Sequence, residues 1–397
     1  MKIKIYPIRS IMSHDNSISS DSKVLLDSLS EFEFEYISNF KTITNSDLVL
    51  ILVQSGGSEG IFKSEIYPNF KGPYYLLTYG SNNSLAASLE ILTFLKQETK
   101  KCEVLHGSSK YISSRIRELT KIQNLNEKVS LGILGEPSDW LISSNVDKDK
   151  CKNVFNIDLI SIDQDEVIKA IENHTNFESS EAAKYDFNKK EINKALQLYE
   201  GLKEIVTKYE LNGFTIRCFD IIQKVKSSAC LSLALFNKDN IIASCEGDVP
   251  AMLSAYTIQK VTGKHSFQAN PQHIDPENNI IELAHCTLPL DMCNKITYDT
   301  HFESGIGVGI HGEFDLAKVT ILKINAELNE FYCETGEIIK NEYRKDRCRT
   351  QIHIKLDADV SYFLRASLGN HHLVVLGDEK EKITRYLQEL GLRKVTF

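Results

Sequence analysis

The sequence predicts an α/β chain that ends in a mostly antiparallel β domain. Three observations lead there. Short apolar runs alternate with segments of helical spacing up to about residue 264, the pattern of βα units on a parallel sheet. Several of those runs stop at small and polar residues, as at Tyr79-Gly80-Ser81-Asn82-Asn83 and Gly135-Glu136-Pro137-Ser138. After Gly263 the texture changes to closely spaced strand candidates, as expected of a barrel or sandwich. The expected domains are 1–127, 128–264 and 265–397.

In the first domain, Lys2–Pro7 reads as a short strand, 23–31 as a helix and 33–37 as a strand. The continuous apolar run 48–53 suits a strand buried on both faces. Residues 74–78 form another such run, followed by helical spacing over 85–96, a strand at 102–105 and a helix over 109–121. The polar stretch 124–128 marks a boundary. The second series has strands at 129–134 and 156–162 and helices at 164–173 and 188–210. The apolar runs 214–219 and 231–236 read as strands. A further run, 241–245, leads into Glu246-Gly247-Asp248 and a helix over 249–262. Beyond it, 280–287, 318–324, 330–334, 351–356 and 373–376 are strand candidates, and 379–390 is a helix.

Bulk properties exclude several classes. The net charge of −8 argues against a general nucleic-acid surface. No apolar run approaches the roughly 20 residues of a membrane span, and the amino terminus lacks the apolar core of a signal peptide. The nine cysteines are scattered, without a CxxC pair, and read as free thiols acting as small core hydrophobes. A reducing, cytoplasmic setting is expected from them.

Three late motifs carry the chemistry: Cys245-Glu246-Gly247-Asp248, Glu282-Leu283-Ala284-His285 and Gly369-Asn370-His371-His372. A divalent cation needs oxygen and nitrogen ligands converging from separate segments, and these motifs supply both at strand ends. Glu246, at a strand's carboxyl end, is where open α/β sheets bind ligands. Asp248 suits either that site or the cap of the following helix. A histidine such as His285 is often structural, but adjacent histidines in a strand face opposite ways, so one of His371 and His372 can reach a site. His301-Phe302-Glu303-Ser304-Gly305 opens a glycine-rich stretch without a phosphate-loop lysine, and reads as a loop over a polar ligand. Arg347-Cys348-Arg349-Thr350 reads equally as an anion- or hydroxyl-binding segment or a solvated edge strand.

Together with Arg217-Cys218-Phe219 and the segment 132–140, these motifs resemble the L-fucose/L-arabinose isomerase superfamily, most closely its shorter L-fucose isomerase-like members. The resemblance implies two Rossmann-like, flavodoxin-like α/β domains and a C-terminal β-barrel. It implies a cytoplasmic aldose–ketose isomerase that uses Mn²⁺ or a similar divalent cation on a sugar through an enediolate. A homo-trimer or homo-hexamer is expected, with the site shared between subunits. It implies Glu246 as the acidic metal ligand, with His285 and one of His371 and His372 beside it. The family's second acidic ligand falls at Asn270 or Ala269, and Asn270 offers only a neutral oxygen. The proton-transfer group is then sought among Glu246, Asp248, Asp275 and Glu303. Arg217, His301, Arg349 and Asn370, within the matched motifs, are expected to contact substrate. A non-catalytic carbohydrate-binding or regulatory homologue, and a metal-dependent epimerase or lyase, are the alternatives.

Overall fold

The computed structural model describes residues 3–10, 17–41, 43, 47–124, 129–174 and 178–396. It forms two compact units, Met1–Glu127 and Lys128–Phe397. The expected polar break at 124–128 lies outside the described residues, apart from Asn124.

The first unit contains β1 (Ile3–Ile8), α1 (Ser17–Asp27), β2 (Phe34–Tyr36), β3 (Leu48–Val53), the short α2 (Glu59–Ile61), β4 (Tyr74–Leu77), α3 (Ser84–Gln97), β5 (Cys102–Leu105) and α4 (Ser109–Asn124). The strands make one parallel sheet in the order β2-β1-β3-β4-β5, a doubly wound arrangement. Every residue of β3 is buried, because one apolar cluster covers each face of this sheet.

The second unit opens with another parallel sheet, ordered β7-β6-β8-β9. It is built from β6 (Val129–Leu134), α5 (Lys148–Phe155), β7 (Ile157–Ile162), α6 (Gln164–Glu172), α7 (Lys189–Lys208), β8 (Gly213–Ile216), α8 (Cys218–Val225), α9 (Cys230–Lys238), β9 (Ile242–Cys245) and α10 (Val249–Thr262). Helix α7 starts where the Asn188 side chain accepts from the amides of Lys190 and Glu191.

Two strand expectations fail here. The run 214–219 is a strand only to Ile216, and Cys218 begins α8. The run 231–236 is helix α9. Leu233 and Phe236 of α9 belong to the core on the parallel sheet, whereas Leu231 and Ala234 belong to the core of the β domain that follows. A helix packed on opposite sides is apolar all round, so periodicity cannot tell it from a buried strand.

The rest of this unit is a closed antiparallel barrel. Its strands are β10 (Phe267–Asp275), β11 (Ile280–His285), β14 (Lys318–Ile324), β15 (Glu330–Glu342), β16 (Thr350–Leu356) and β17 (His372–Leu376). They run in the order β14-β17-β10-β11-β16-β15, and β14–β15 pairing closes the ring and removes its edges. A separate hairpin, β12 (Lys295–Asp299) and β13 (Gly309–Glu313), lies outside the ring. Helices α11 (Tyr362–Arg365) and α12 (Lys380–Glu389) and the short β18 (Arg393–Lys394), parallel to β15, complete the chain. Strand β10 was not among the sequence expectations, because Asn270, Pro271 and Gln272 interrupt its apolar pattern. The expected junction at 264 falls between α10 and β10, inside the second unit.

Candidate metal centre

The site is assembled where β9 of the parallel sheet meets the barrel. At the end of β9 the chain turns sharply: Glu246 and Gly247 both have positive φ, 64° and 72°. For a non-glycine residue such a conformation costs about 1–3 kcal/mol, so surrounding structure must hold it. It does. The Gly247 amide donates to the carbonyl of Ile216 at 2.9 Å, and the Ser138 amide donates to the carbonyl of Glu246 at 3.0 Å. A Cβ on Gly247 would meet the Glu136 carbonyl and the Pro137 Cα at 2.7 Å, so only glycine fits there. Gln268 of β10 clamps the preceding residue, accepting from the Cys245 amide at 3.0 Å and donating to its carbonyl at 3.3 Å.

Asp248 then starts α10, its Oδ1 accepting from the Ala251 amide at 2.8 Å. Its other oxygen, Oδ2, lies 2.9 Å from Nδ1 of His371 and 3.5 Å from Nζ of Lys323. Asp248, His371 and Lys323 are all buried. Burial works against the charge on Asp248, but Lys323 and then the His371 hydrogen bond outweigh it and lower its pKa to about 2. The carboxylate therefore fixes a proton on His371 Nδ1, so that Nε2 is the nitrogen at which a cation would replace a proton.

Glu246, His285 and His371 converge. The His371 Nε2 lies 3.4 Å from Glu246 Oε1, and the His285 Nε2 lies 3.7 Å from the same oxygen. One donor atom from each of the three falls within 4.8 Å of the others. The buried Nε2 of His371 and both ring nitrogens of His285 lack a hydrogen-bond partner. An unpaired buried polar group costs about 1–3 kcal/mol. Ligands about 2.0–2.2 Å from one ion, at angles of about 90–120°, stand about 2.8–3.8 Å apart, and the two contacts to Glu246 fall within that spacing. The donor set, one carboxylate and two imidazoles, therefore fits a divalent cation. Burial holds His285 below the ordinary imidazole range. Burial opposes charge on His371 as well, yet Glu246 and then Asp248 raise its pKa to about 9. Glu246 moves the opposite way: burial is overcome by the neighbouring imidazoles, and it stays ionised.

Asn270 lies on β10 between the two histidine-bearing segments. Register pairs Asn270 with Ala284, next to His285, and pairs Ala269 with His372, next to His371. Gln268 points at Cys245, so Asn270, two residues on, shares its face of the strand. The Asn270 Oδ1 is buried and has no hydrogen-bond partner. Adjacent His372 faces the other way, into the barrel, with Nε2 3.1 Å from the Tyr362 hydroxyl and Nδ1 2.9 Å from the Asn370 carbonyl. Burial and then Lys323 lower the His372 pKa to about 3. It packs against Phe363, and Asn370 itself is exposed.

The other expected site residues separate into two groups. His301 is 7% exposed, bonded through Nδ1 to the Ser304 hydroxyl at 3.0 Å, and burial followed by the charge of His285 lowers its pKa to about 4. Glu303, in the same loop, is exposed, yet partial desolvation, with the charge of Glu246 adding to it, raises its pKa. Arg349 is buried and donates through Nε to the Thr300 carbonyl at 2.8 Å, which anchors that loop. Asp275 lies apart from these residues in the protomer. It sits at the far end of β10 and binds the amides of Glu277 and Asn278, about 16 Å of strand beyond Asn270. Arg217 is engaged by the protein: it donates to the Pro137 carbonyl at 2.9 Å, to Asp139 at 2.8 Å and to Asp220 at 3.1 Å.

No protein-family model matches the chain. It is similar to proteins named sulfoquinovose isomerase. Those of Priestia aryabhattai and Priestia megaterium (strain ATCC 12872 / QMB1551) are each 22% identical to it over 295 residues, 70% of this chain and 65% of theirs. That of Clostridium sp. (strain MSTE9) is 24% identical over 220 residues, 51% of this chain and 48% of its own. The chain thus matches less than two-thirds of the length of these relatives.

Sequence reasoning missed Lys323, Gln268 and Trp140 as parts of the site, the last through an indole Nε1–H that donates to Glu246 Oε2 at 2.8 Å. Lys323 carried a signal, a lysine inside the apolar strand Val319–Ile324. Gln268 carried none. Among the described residues, no helix is long and apolar enough to cross a membrane.

Proposed function

We propose that this chain is a metal-dependent aldose–ketose isomerase acting on a sugar. The observation that carries the reading is the convergence of Glu246, His285 and His371 with buried ring nitrogens that have no hydrogen-bond partner. The similarity to proteins named sulfoquinovose isomerase supports the reaction class and makes a sulfonated aldose the first substrate to try. Glu246, His285 and His371 hold the ion, and Asn270 adds a neutral oxygen. Mn²⁺ suits such a mixed oxygen and nitrogen set. When bound, the cation polarises a carbonyl and stabilises negative charge on neighbouring substrate oxygens.

The chain's own residues do the rest. Asp248 keeps the proton on His371 Nδ1. His301 is neutral at physiological pH and offers a hydrogen bond without a competing charge. Glu303, in the loop that also carries His301 and with its pKa raised by partial desolvation and then by Glu246, is assigned the proton transfer between adjacent carbons. Asp275 has no part in this scheme.

The test is direct. Mn²⁺-loaded protein is incubated in D₂O with sulfoquinovose and a panel of pentoses and hexoses, and followed by NMR. Aldose–ketose interconversion with deuterium entering at C1 or C2 is expected. Mn²⁺ uptake without exchange on any of these sugars would instead favour a sugar-binding homologue, a reading to which the neutral Asn270 lends some weight.

A further inference from the structure

We infer that Trp140 is a positioning residue for the metal-binding carboxylate, an assignment that rests on the proposed metal site. Trp140 is the only tryptophan of the chain. Its indole Nε1–H donates to Glu246 Oε2 at 2.8 Å, while the opposite oxygen, Oε1, faces His371 and His285. The two oxygens of one carboxylate are thus given different partners. With Oε2 held by a neutral donor, Glu246 meets an ion through Oε1 alone. A one-oxygen ligand occupies one position in the ion's shell where a chelating carboxylate takes two. That leaves more of the shell open to the two adjacent oxygens of a substrate.

The indole is fixed from several directions. It packs edge-to-face on Phe219, with ring centres 4.8 Å apart and planes at 87°, and Phe219 packs edge-to-face on His301 at 5.7 Å. The loop that carries it is tied to the Glu246 turn by the Ser138 amide and to the start of α8 by Arg217, which holds both the Pro137 carbonyl and Asp139. Arg217 therefore acts through the loop. Yet Trp140 remains 52% exposed. A large apolar side chain held half in solvent, with its polar atom on a buried carboxylate, contributes little to the core. Its placement is explained by the carboxylate it orients.

Because the chain has one tryptophan, its emission reports this contact alone. Mn²⁺, a paramagnetic quencher, is added to metal-free protein while the fluorescence is followed, and binding is measured in parallel by calorimetry. Saturable quenching with the calorimetric midpoint is expected. Trp140→Phe keeps a ring against Phe219 and removes the N–H donor. Its Mn²⁺ affinity should fall about 10-fold or more, the usual effect of losing a partner that orients a ligand. The visible d–d spectrum of the Co²⁺-loaded variant should differ from that of the Co²⁺-loaded wild type, which a purely structural role would not produce. Calorimetric Mn²⁺ binding without quenching, or a Trp140→Phe protein with wild-type affinity and Co²⁺ spectrum, overturns the inference and leaves the metal site standing. No Mn²⁺ uptake by the wild type overturns both.

Discussion

The Nδ1 of His371 lies 2.9 Å from Oδ2 of Asp248, a residue 123 positions earlier in the chain. Asp248 also caps α10 with its other oxygen, so one side chain fixes both a helix start and an imidazole. The same helix start lies two residues beyond Glu246. Any change at Asp248 is therefore felt at the metal centre through orientation and not through direct ligation.

Asp248→Asn keeps the capping oxygen but takes the negative charge from beside His371 and Lys323. Mn²⁺ affinity should fall about 10–100-fold, as is usual when the partner of a ligating histidine is lost. Titration calorimetry at neutral pH checks this. An unchanged dissociation constant would mean that His371 does not need this carboxylate to bind the ion.

The adjacent histidines should separate cleanly. His371→Gln should abolish measurable Mn²⁺ binding. His372→Leu should leave it within about 3-fold, and should lower stability by about 1–3 kcal/mol, since the Tyr362 hydroxyl loses a buried partner. Calorimetry and denaturant melts on both variants test the pair. Loss of metal binding in His372→Leu with a folded protein would reverse the assignment.

Asn270→Asp adds a second carboxylate to the shell. Mn²⁺ should bind more tightly, because a hard cation favours anionic oxygen. If affinity does not change, the Asn270 side chain is not among the ligands, and its buried oxygen has another explanation.

Glu303→Gln should leave Mn²⁺ affinity intact and reduce kcat about 10²–10⁴-fold, the range for loss of a general acid–base group. The pH profile gives a second readout. Partial desolvation, reinforced by Glu246, raises the Glu303 pKa, so its basic form is lost at a higher pH than for an ordinary carboxylate. The rate should fall as pH drops through that raised value, and this limb should vanish in Glu303→Gln. A wild-type rate in the variant would remove Glu303 from the mechanism.

Metal should also stabilise the fold, because the donors of Glu246, His285 and His371 converge only in the folded state. At 100 times its dissociation constant, Mn²⁺ should add about 2.7 kcal/mol to unfolding, and a chelator should remove the gain. A melting midpoint that ignores both additions would count against a site in the second unit.

Much of the architecture was written in local pattern. The buried run Leu48–Val53 and the alternation of strands and helices follow from period alone, as does the shift to strands after Gly263. The motifs carrying Glu246, His285 and His371 were legible because carboxylate and imidazole at strand ends are unusual residues for a core. What local pattern could not decide was anything set by packing on two sides. Helix α9 reads as a strand until the barrel is known to cover its second face. Asp275 looks equivalent to any other carboxylate near Asn270 until β10 is seen to carry it away along the strand. The difference between His371 and His372 is one step in a strand, and only the closed barrel says which face is inside. The roles of Lys323, Gln268 and Trp140 were hidden for the same reason. Lys323 and Gln268 meet Asp248 and Cys245 only once the barrel has packed on the parallel sheet, and Trp140 meets Glu246 only once β6 and β9 lie in the same sheet. A chain fixes its own periodicity; the pairing of distant side chains belongs to the folded core.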